Sequence, residues 1–149
     1  MNDDMLPDNY VPSDKEEYMN PMHLKYFKKQ LLEWRQSLLD ESNNTLDHLK
    51  ENDLNQADLS SRAVIEEQTS FELRTRNRYR KLIEKIEAAL ERINNGEYGY
   101  CEETGEEIGI NRLKARPMAS LCIEAQERHE RQEREYNISE QANGEDSDS

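Results

Sequence analysis

The chain has 149 residues, 36% charged and 34% hydrophobic, with 33 acidic against 20 basic side chains and a formal net charge of −13. That is enough for one domain with tails and too little apolar material for a large globular core. The acidity argues against coating nucleic acid, where affinity comes from neutralised phosphates, and five scattered glycines leave no G-x-G-x-x-G or P-loop cradle.

Residues 1–17 are rich in Asp, Asn and Pro without periodicity, so a disordered tail is expected there. The opening MNDDMLPDNY has neither the basic start nor the apolar stretch of a signal peptide. No window approaches the roughly eighteen uninterrupted apolar residues of a membrane span. A cytoplasmic protein with no membrane partner is expected.

Asn20-Pro21 reads as a helix cap followed by the first helical residue. Beyond it Leu24, Phe27, Leu31, Trp34 and Leu38 recur at alternating spacings of three and four, the pattern that keeps an apolar seam facing a partner helix. Ile83, Ile86, Leu90 and Ile93 repeat the pattern in a second helix, which Asn94-Asn95-Gly96 should stop. Both seams fade toward the polar segment Glu51 to Ser61. The natural solution is an antiparallel pair over 18–95, sticky at its base and polar at a tip near 53–60. Arms of Pro21–Asn52 and Ser61–Asn94 make a rod about 48–51 Å long at 1.5 Å per residue. A hairpin folded into a larger bundle would need a third strongly amphipathic helix, which the sequence does not supply.

From 96 to 121 the texture changes: Tyr98, Tyr100, Ile108, Ile110 and Leu113 sit among turn residues, and Gly99, Gly105 and Gly109 mark bends. An irregular knob at the base of the rod is predicted. A charged helix over 122–136 follows Pro117 and Ser120, stable only by docking on the knob or a partner. An acidic disordered tail is expected over 137–149. The fold class is therefore mainly α.

Four features could carry chemistry. Cys101 and Thr104 stand where C-x-x-C would place two thiolates, and Cys122 and Ala125 do so again, so half of a tetrahedral zinc set is missing. A knob held by packing, with the cysteines as small buried groups, competes with a partial metal site or redox pair. On the second arm Arg74, Arg78, Lys81 and Lys85 fall within about 40° of one another on a helical wheel, opposite the seam. That stripe is either a docking surface for an anionic partner or a solvated face paired with acids on its own helix. At the tip Glu51, Asp53 and Asp58 offer carboxylates that could share Mg²⁺ or serve solubility alone. His23, His48 and His129 lie on charged helices with no nucleophile motif nearby, and are expected at the surface.

The run from Asp58 to Ala125, with DLSSRA, ELRTRNRYRKLIEKIEAALERI, NGEYGYCEETGEEIGINRLKARP and LCIEA, resembles the DksA family of bacterial transcription regulators. EEYMNPMHLKYFKKQLLEWRQSLL is similar to that family's first arm, so the resemblance covers about residues 16–136. It implies a coiled-coil rod on a globular, zinc-finger-like base, inserted through the secondary channel of RNA polymerase. There the family adjusts initiation with guanosine tetraphosphate (ppGpp), in the stringent response, without binding DNA tightly.

Carried over by motif, the family's tip pair of aspartates and its alanine correspond to Asp58, Ser61 and Ala63, the second aspartate being serine here. The essential basic residue of the second arm corresponds to Arg78, within the stripe Arg74, Arg78 and Lys81 that would dock on polymerase. Nucleotide-site residues correspond to Leu82, Lys85 and Arg116, and a further family lysine is Gln126. At Cys101, Thr104, Cys122 and Ala125 the chain resembles cysteine-poor members that keep the fold without metal. The implied function is a non-enzymatic, monomeric regulator with no bound cofactor. A Gre-like transcript cleavage factor would need a close acidic pair at the tip, which Asp58 with Ser61 does not provide. A plain coiled-coil adaptor or homodimer would not need the knob or Arg116.

Overall fold

The computed structural model describes residues 6–7, 9–54 and 62–145. Its helices are α1, Pro21–Leu54; α2, Arg62–Asn95; α3, Ile110–Ala115; and α4, Ile123–Glu145. Among the described residues no strand forms, and the β pairing is an isolated bridge between Tyr100 and Glu107.

The start of α1 follows from its first two residues. Asn20 Oδ1 accepts the backbone N–H groups of Met22 at 2.8 Å and His23 at 3.0 Å. Pro21 then occupies the first helical position, where a missing N–H is harmless. At the other end of the hairpin, Glu97 and Tyr98 donate to the carbonyl of Arg92 at 2.9 and 3.2 Å while Gly96 turns left-handed with φ +75°. This satisfies a carbonyl that α2 would otherwise leave open. Each arm has 34 residues, hence a length of about 51 Å.

The arms run antiparallel: Phe27, Leu31 and Leu38 of α1 share one buried cluster with Ile86 and Ala89 of α2 and with Tyr98, Ile108, Ile110 and Leu113 of the knob. Fully burying an aliphatic or aromatic side chain contributes about 1.5–3 kcal/mol, so this cluster holds rod and knob as one base. Leu24, Trp34, Ile83, Leu90 and Ile93 pack around it and are partly buried. Ala89, which the seam pattern passes over, is fully buried because its methyl fits where the arms meet closely.

Tyrosines fasten the knob. Tyr98 is almost fully buried and donates to the carbonyl of Pro117 at 2.6 Å; burial pushes its hydroxyl pKa far up. Tyr18 donates to the carbonyl of Gly99 at 2.6 Å and accepts from the N–H of Gly109 at 3.0 Å. Gly99 must be glycine on two counts: its φ is +93°, and a Cβ there would lie 2.7 Å from Met19 Cγ.

Both ends depart from the sequence reading. Residues 9–17, expected in a disordered tail, form turns against the base: Pro12 is buried, Tyr10 donates to Glu16 Oε2 at 2.8 Å, and Tyr10 meets Tyr26 edge-on at 6.3 Å. Isolated aromatic anchors carry no period, so pattern reading misses them. At the other end α4 continues past 136 to Glu145, about 35 Å of helix over 23 residues. Contacts one turn apart extend it, such as Gln126 to Glu130 and Tyr136 to Glu140. Residues 127–143 of α4 are all exposed; its first turn packs on the knob, and Arg128 and His129 of the next turn pair with Glu103.

Candidate functional site

The cationic stripe on α2 is exposed throughout. Among the described residues none of Arg74, Arg78, Lys81 and Lys85 takes part in an ion pair, whereas Arg62 pairs with Glu66 on the same helix at 3.5 Å. Pairing with acids of its own helix therefore does not account for the stripe. Phe71 stands 63% exposed beside Arg74, Thr75 and Arg78, and together they line a depression of about 330 Å³. The Arg78 guanidinium lies 5.9 Å from the ring centre of Tyr79, whose hydroxyl pKa is raised by its hydrogen bond to Glu41 on the opposite arm. An exposed aromatic ring beside guanidinium groups that make no ion pair among the described residues suits a partner with both anionic and apolar groups.

A second cationic feature sits where α2 meets the knob. Lys85, Arg92, Arg112 and Arg116 line a cleft of about 350 Å³, together with Glu102, Ser120 and Gln126. Two of these cations are structural. Arg92 spans from Glu102 Oε1 at 2.9 Å to the Met118 carbonyl at 3.4 Å, and Arg112 Nε donates to the Leu121 carbonyl at 3.1 Å. Lys85 and Arg116 are exposed and, among the described residues, make no ion pair. The cleft thus has two anchored and two available cations against one carboxylate, on a chain of net charge −13. Such a site favours a small, multiply charged anion.

The sequence had singled out Lys85, Arg116 and Gln126, which this cleft brings together from α2, the end of α3 and the first turn of α4. Leu82, one turn before Lys85, is half-buried against the base cluster. Arg92 and Arg112 were missed. Their spacing held a signal, since Arg92 lies two turns beyond Lys85 and Arg112 one turn before Arg116.

The four knuckle positions also converge. Cys101, Cys122 and Ala125 form a small buried cluster of their own, with Leu121 against it. Thr104 Oγ1 lies 3.9 Å from Cys122 Sγ and hydrogen-bonds Cys101 as well. Burial acts to raise the Cys101 pKa, but bonds from the Thr104 hydroxyl and from the N–H groups of Cys122, Thr104 and Glu103 outweigh it, holding the thiol down at about 6. A structural zinc centre needs four ligands. Here the third position is a neutral hydroxyl, the fourth a fully buried methyl, and no three His, Cys, Asp or Glu side chains cluster among the described residues. His129 is exposed and turned to Glu103. The residues present do not fit a tetrahedral zinc ion.

Other expected positions resolve unevenly. Asp58 and Ser61 lie outside the described residues, whereas Ala63 is exposed in the first turn of α2. Glu51 is exposed near the end of α1. His48 and His129 are at the surface, but His23 is fully buried, correcting the surface assignment. It lies 3.7 Å from Glu16 Oε2, beneath the N-terminal turns that the sequence left as a tail, and neither ring nitrogen has a hydrogen-bond partner among the described residues.

The chain matches two family descriptions in tandem: "DnaK suppressor protein DksA, N-terminal domain" over residues 23–93 and "Prokaryotic dksA/traR C4-type zinc finger" over 96–131. The second names a metal for which this chain keeps two of four cysteines. Among relatives, the RNA polymerase-binding transcription factor DksA of Caulobacter vibrioides (strain NA1000 / CB15N) is 55% identical over 126 residues, 85% of this chain and 89% of that protein. The protein of the same name from Escherichia coli (strain K12) is 47% identical over 115 residues, 77% and 76% of the two chains. The solved structure of transcription factor DksA2 from Pseudomonas aeruginosa superposes with a TM-score of 0.73 at 43% identity, over 78% of this chain and 90% of that one. With the hairpin, the knob and both halves of the sequence in agreement, this chain belongs to the DksA family.

Proposed function

We propose that this chain is a transcription regulator, not an enzyme, that binds RNA polymerase in the cytoplasm through the secondary channel and adjusts initiation together with ppGpp. The observation that carries this reading is the junction cleft, where the exposed cations Lys85 and Arg116 share one lining with the anchored Arg92 and Arg112. A tetraphosphorylated nucleotide matches that charge and offers oxygens that the planar guanidinium of Arg116 can take two at a time. Leu82 would support the base or polymerase side of the same site, and Gln126 leaves it one cation short of the family pattern.

In this reading the stripe Arg74, Arg78 and Lys81 docks on polymerase, and Asp58, Ser61 and Ala63 act at the tip. The relatives named RNA polymerase-binding factors, covered over most of their length, support the partner. The chain works as a monomer and holds no structural zinc, the knob being fastened by Tyr18, Tyr98 and its own packing.

Run-off transcription from a ribosomal promoter tests the proposal. The chain is expected to inhibit, and added ppGpp to deepen the inhibition. Arg116→Ala should abolish the deepening and leave basal inhibition intact. Enhancement that persists in both Arg116→Ala and Lys85→Ala overturns the assignment of the cleft; stimulated cleavage of transcripts in backtracked complexes would point to a Gre-like factor.

A further inference from the structure

The cysteine pair is used by nothing in the function above, yet both thiols are buried together in one small cluster. Cys101 and Cys122 are 3% and 8% exposed. Their sulfurs converge: the Thr104 hydroxyl contacts both, and the backbone N–H of Cys122 itself bonds to Cys101. Ala125 and Leu121 close the space around them with apolar atoms, so neither a carboxylate nor an imidazole among the described residues stands ready to complete a larger coordination shell.

We propose that Cys101 and Cys122 form a two-coordinate site for a soft monovalent cation, Cu(I). The donor set selects the metal. Hard cations require oxygen ligands and zinc requires four donors, whereas Cu(I) prefers soft sulfur. Two thiolates and one Cu(I) leave a single negative charge in a dry place. The N–H groups of Glu103, Thr104 and Cys122 already point at Cys101, and such outer donors stabilise a metal-bound thiolate. Binding is a ligand exchange: Cu(I) leaves its carrier, any thiol proton goes to the buffer, and no electron moves. The occupied pair would tie the Cys101 turn to the start of α4, cross-linking the knob at the point where α4 docks.

The test uses the full-length reduced chain under anaerobic conditions, titrated with Cu(I) in competition with bathocuproine disulfonate. One Cu(I) per chain is expected, with X-ray absorption showing two sulfur neighbours. Cys101→Ser and Cys122→Ser should each lower affinity by more than the about 10–100-fold that outer-shell changes produce, with the helical circular dichroism unchanged. If either variant unfolds, alkylation of the parent decides instead: bound Cu(I) should protect both thiols equally. Substoichiometric or half-stoichiometric binding, equal binding by both serine variants, protection of one thiol alone, or equally tight retention of Zn(II) would each overturn the proposal.

Discussion

The two ends of the hairpin are made of the same helices and obey different physics. At the base, α1 contributes Phe27, Leu31 and Leu38 and α2 contributes Ile86 and Ala89, all buried against the knob. Away from the base the arms bury nothing: among the described residues none of 39–54 or 62–85 is buried. The half-buried positions there include Ser42, Thr45, Thr69 and Glu72, polar groups where the base has Leu and Ile. One Glu72 carboxylate oxygen is shut off from solvent with no hydrogen-bond partner among the described residues, an arrangement that opposes tight closure of the arms. The difference teaches that the base stores the stability while the outer rod supplies reach and charge. Local opening should be cheapest where a partner would be met.

Breaking the comparison outright requires core and rod substitutions to cost the same. Phe27→Ala is expected to lose about 3–5 kcal/mol, as large-to-small changes in a packed core do. Leu73→Ala on the outer arm, 46% exposed, should stay within about 0.5 kcal/mol. Urea unfolding of the two variants decides it, and a large loss at Leu73 would mean that the outer rod carries a core of its own.

A change that spares stability and removes binding sharpens the contrast. Arg78→Ala should leave the melting temperature unchanged and weaken polymerase binding about ten-fold or more, the equivalent of one charge-assisted contact of about 1.5–3 kcal/mol. Unaltered binding would reduce the stripe to solvated charge.

Smaller still is the effect expected in the N-terminal turns, which belong to the base. The Glu16 carboxyl is held below the usual range chiefly by the Tyr10 hydroxyl, so the charged form is favoured in the folded state. The tie is fully present above the ordinary carboxylate pKa and is lost as pH falls through the lowered one. Amide protection over residues 10–16, taken relative to intrinsic exchange, should therefore fall in acid, and Tyr10→Phe should weaken that dependence. Identical pH profiles for parent and variant would contradict the role of Tyr10.

No change at all is expected from removing zinc. Purified chain should hold none in stoichiometric amount, and a chelator should leave its helical signal and melting temperature as they were. One zinc per chain with chelator-induced unfolding would mean that the knob needs a metal after all.

Legibility followed periodicity. The seams of α1 and α2 were readable because burial on one helix face repeats every three or four residues, and the ends of the hairpin because Asn20-Pro21 and Asn95-Gly96 have local chemistry of their own. Arg116 and Gln126 stood out through resemblance to a family, whereas Lys85 also showed in the helical spacing of the cationic stripe. The buried His23 and the docked Tyr10 and Pro12 were invisible, since a single anchor on an irregular segment leaves no repeat.

By itself the sequence determined the long helical hairpin, its apolar base, its cationic stripe and the missing half of the zinc set, because each depends on neighbours within a few turns or on residue identity alone. Only the tertiary structure decided that Arg92 and Arg112 hold the cleft for Lys85 and Arg116, and that the Thr104 hydroxyl reaches both cysteine sulfurs. It also decided that α4 packs on the knob with its first turn, pairs with Glu103 through Arg128 and His129, and runs on exposed to residue 143. These are contacts between α2, the knob and the start of α4, up to about forty residues apart in the chain, and they exist only once the base cluster has brought those segments together.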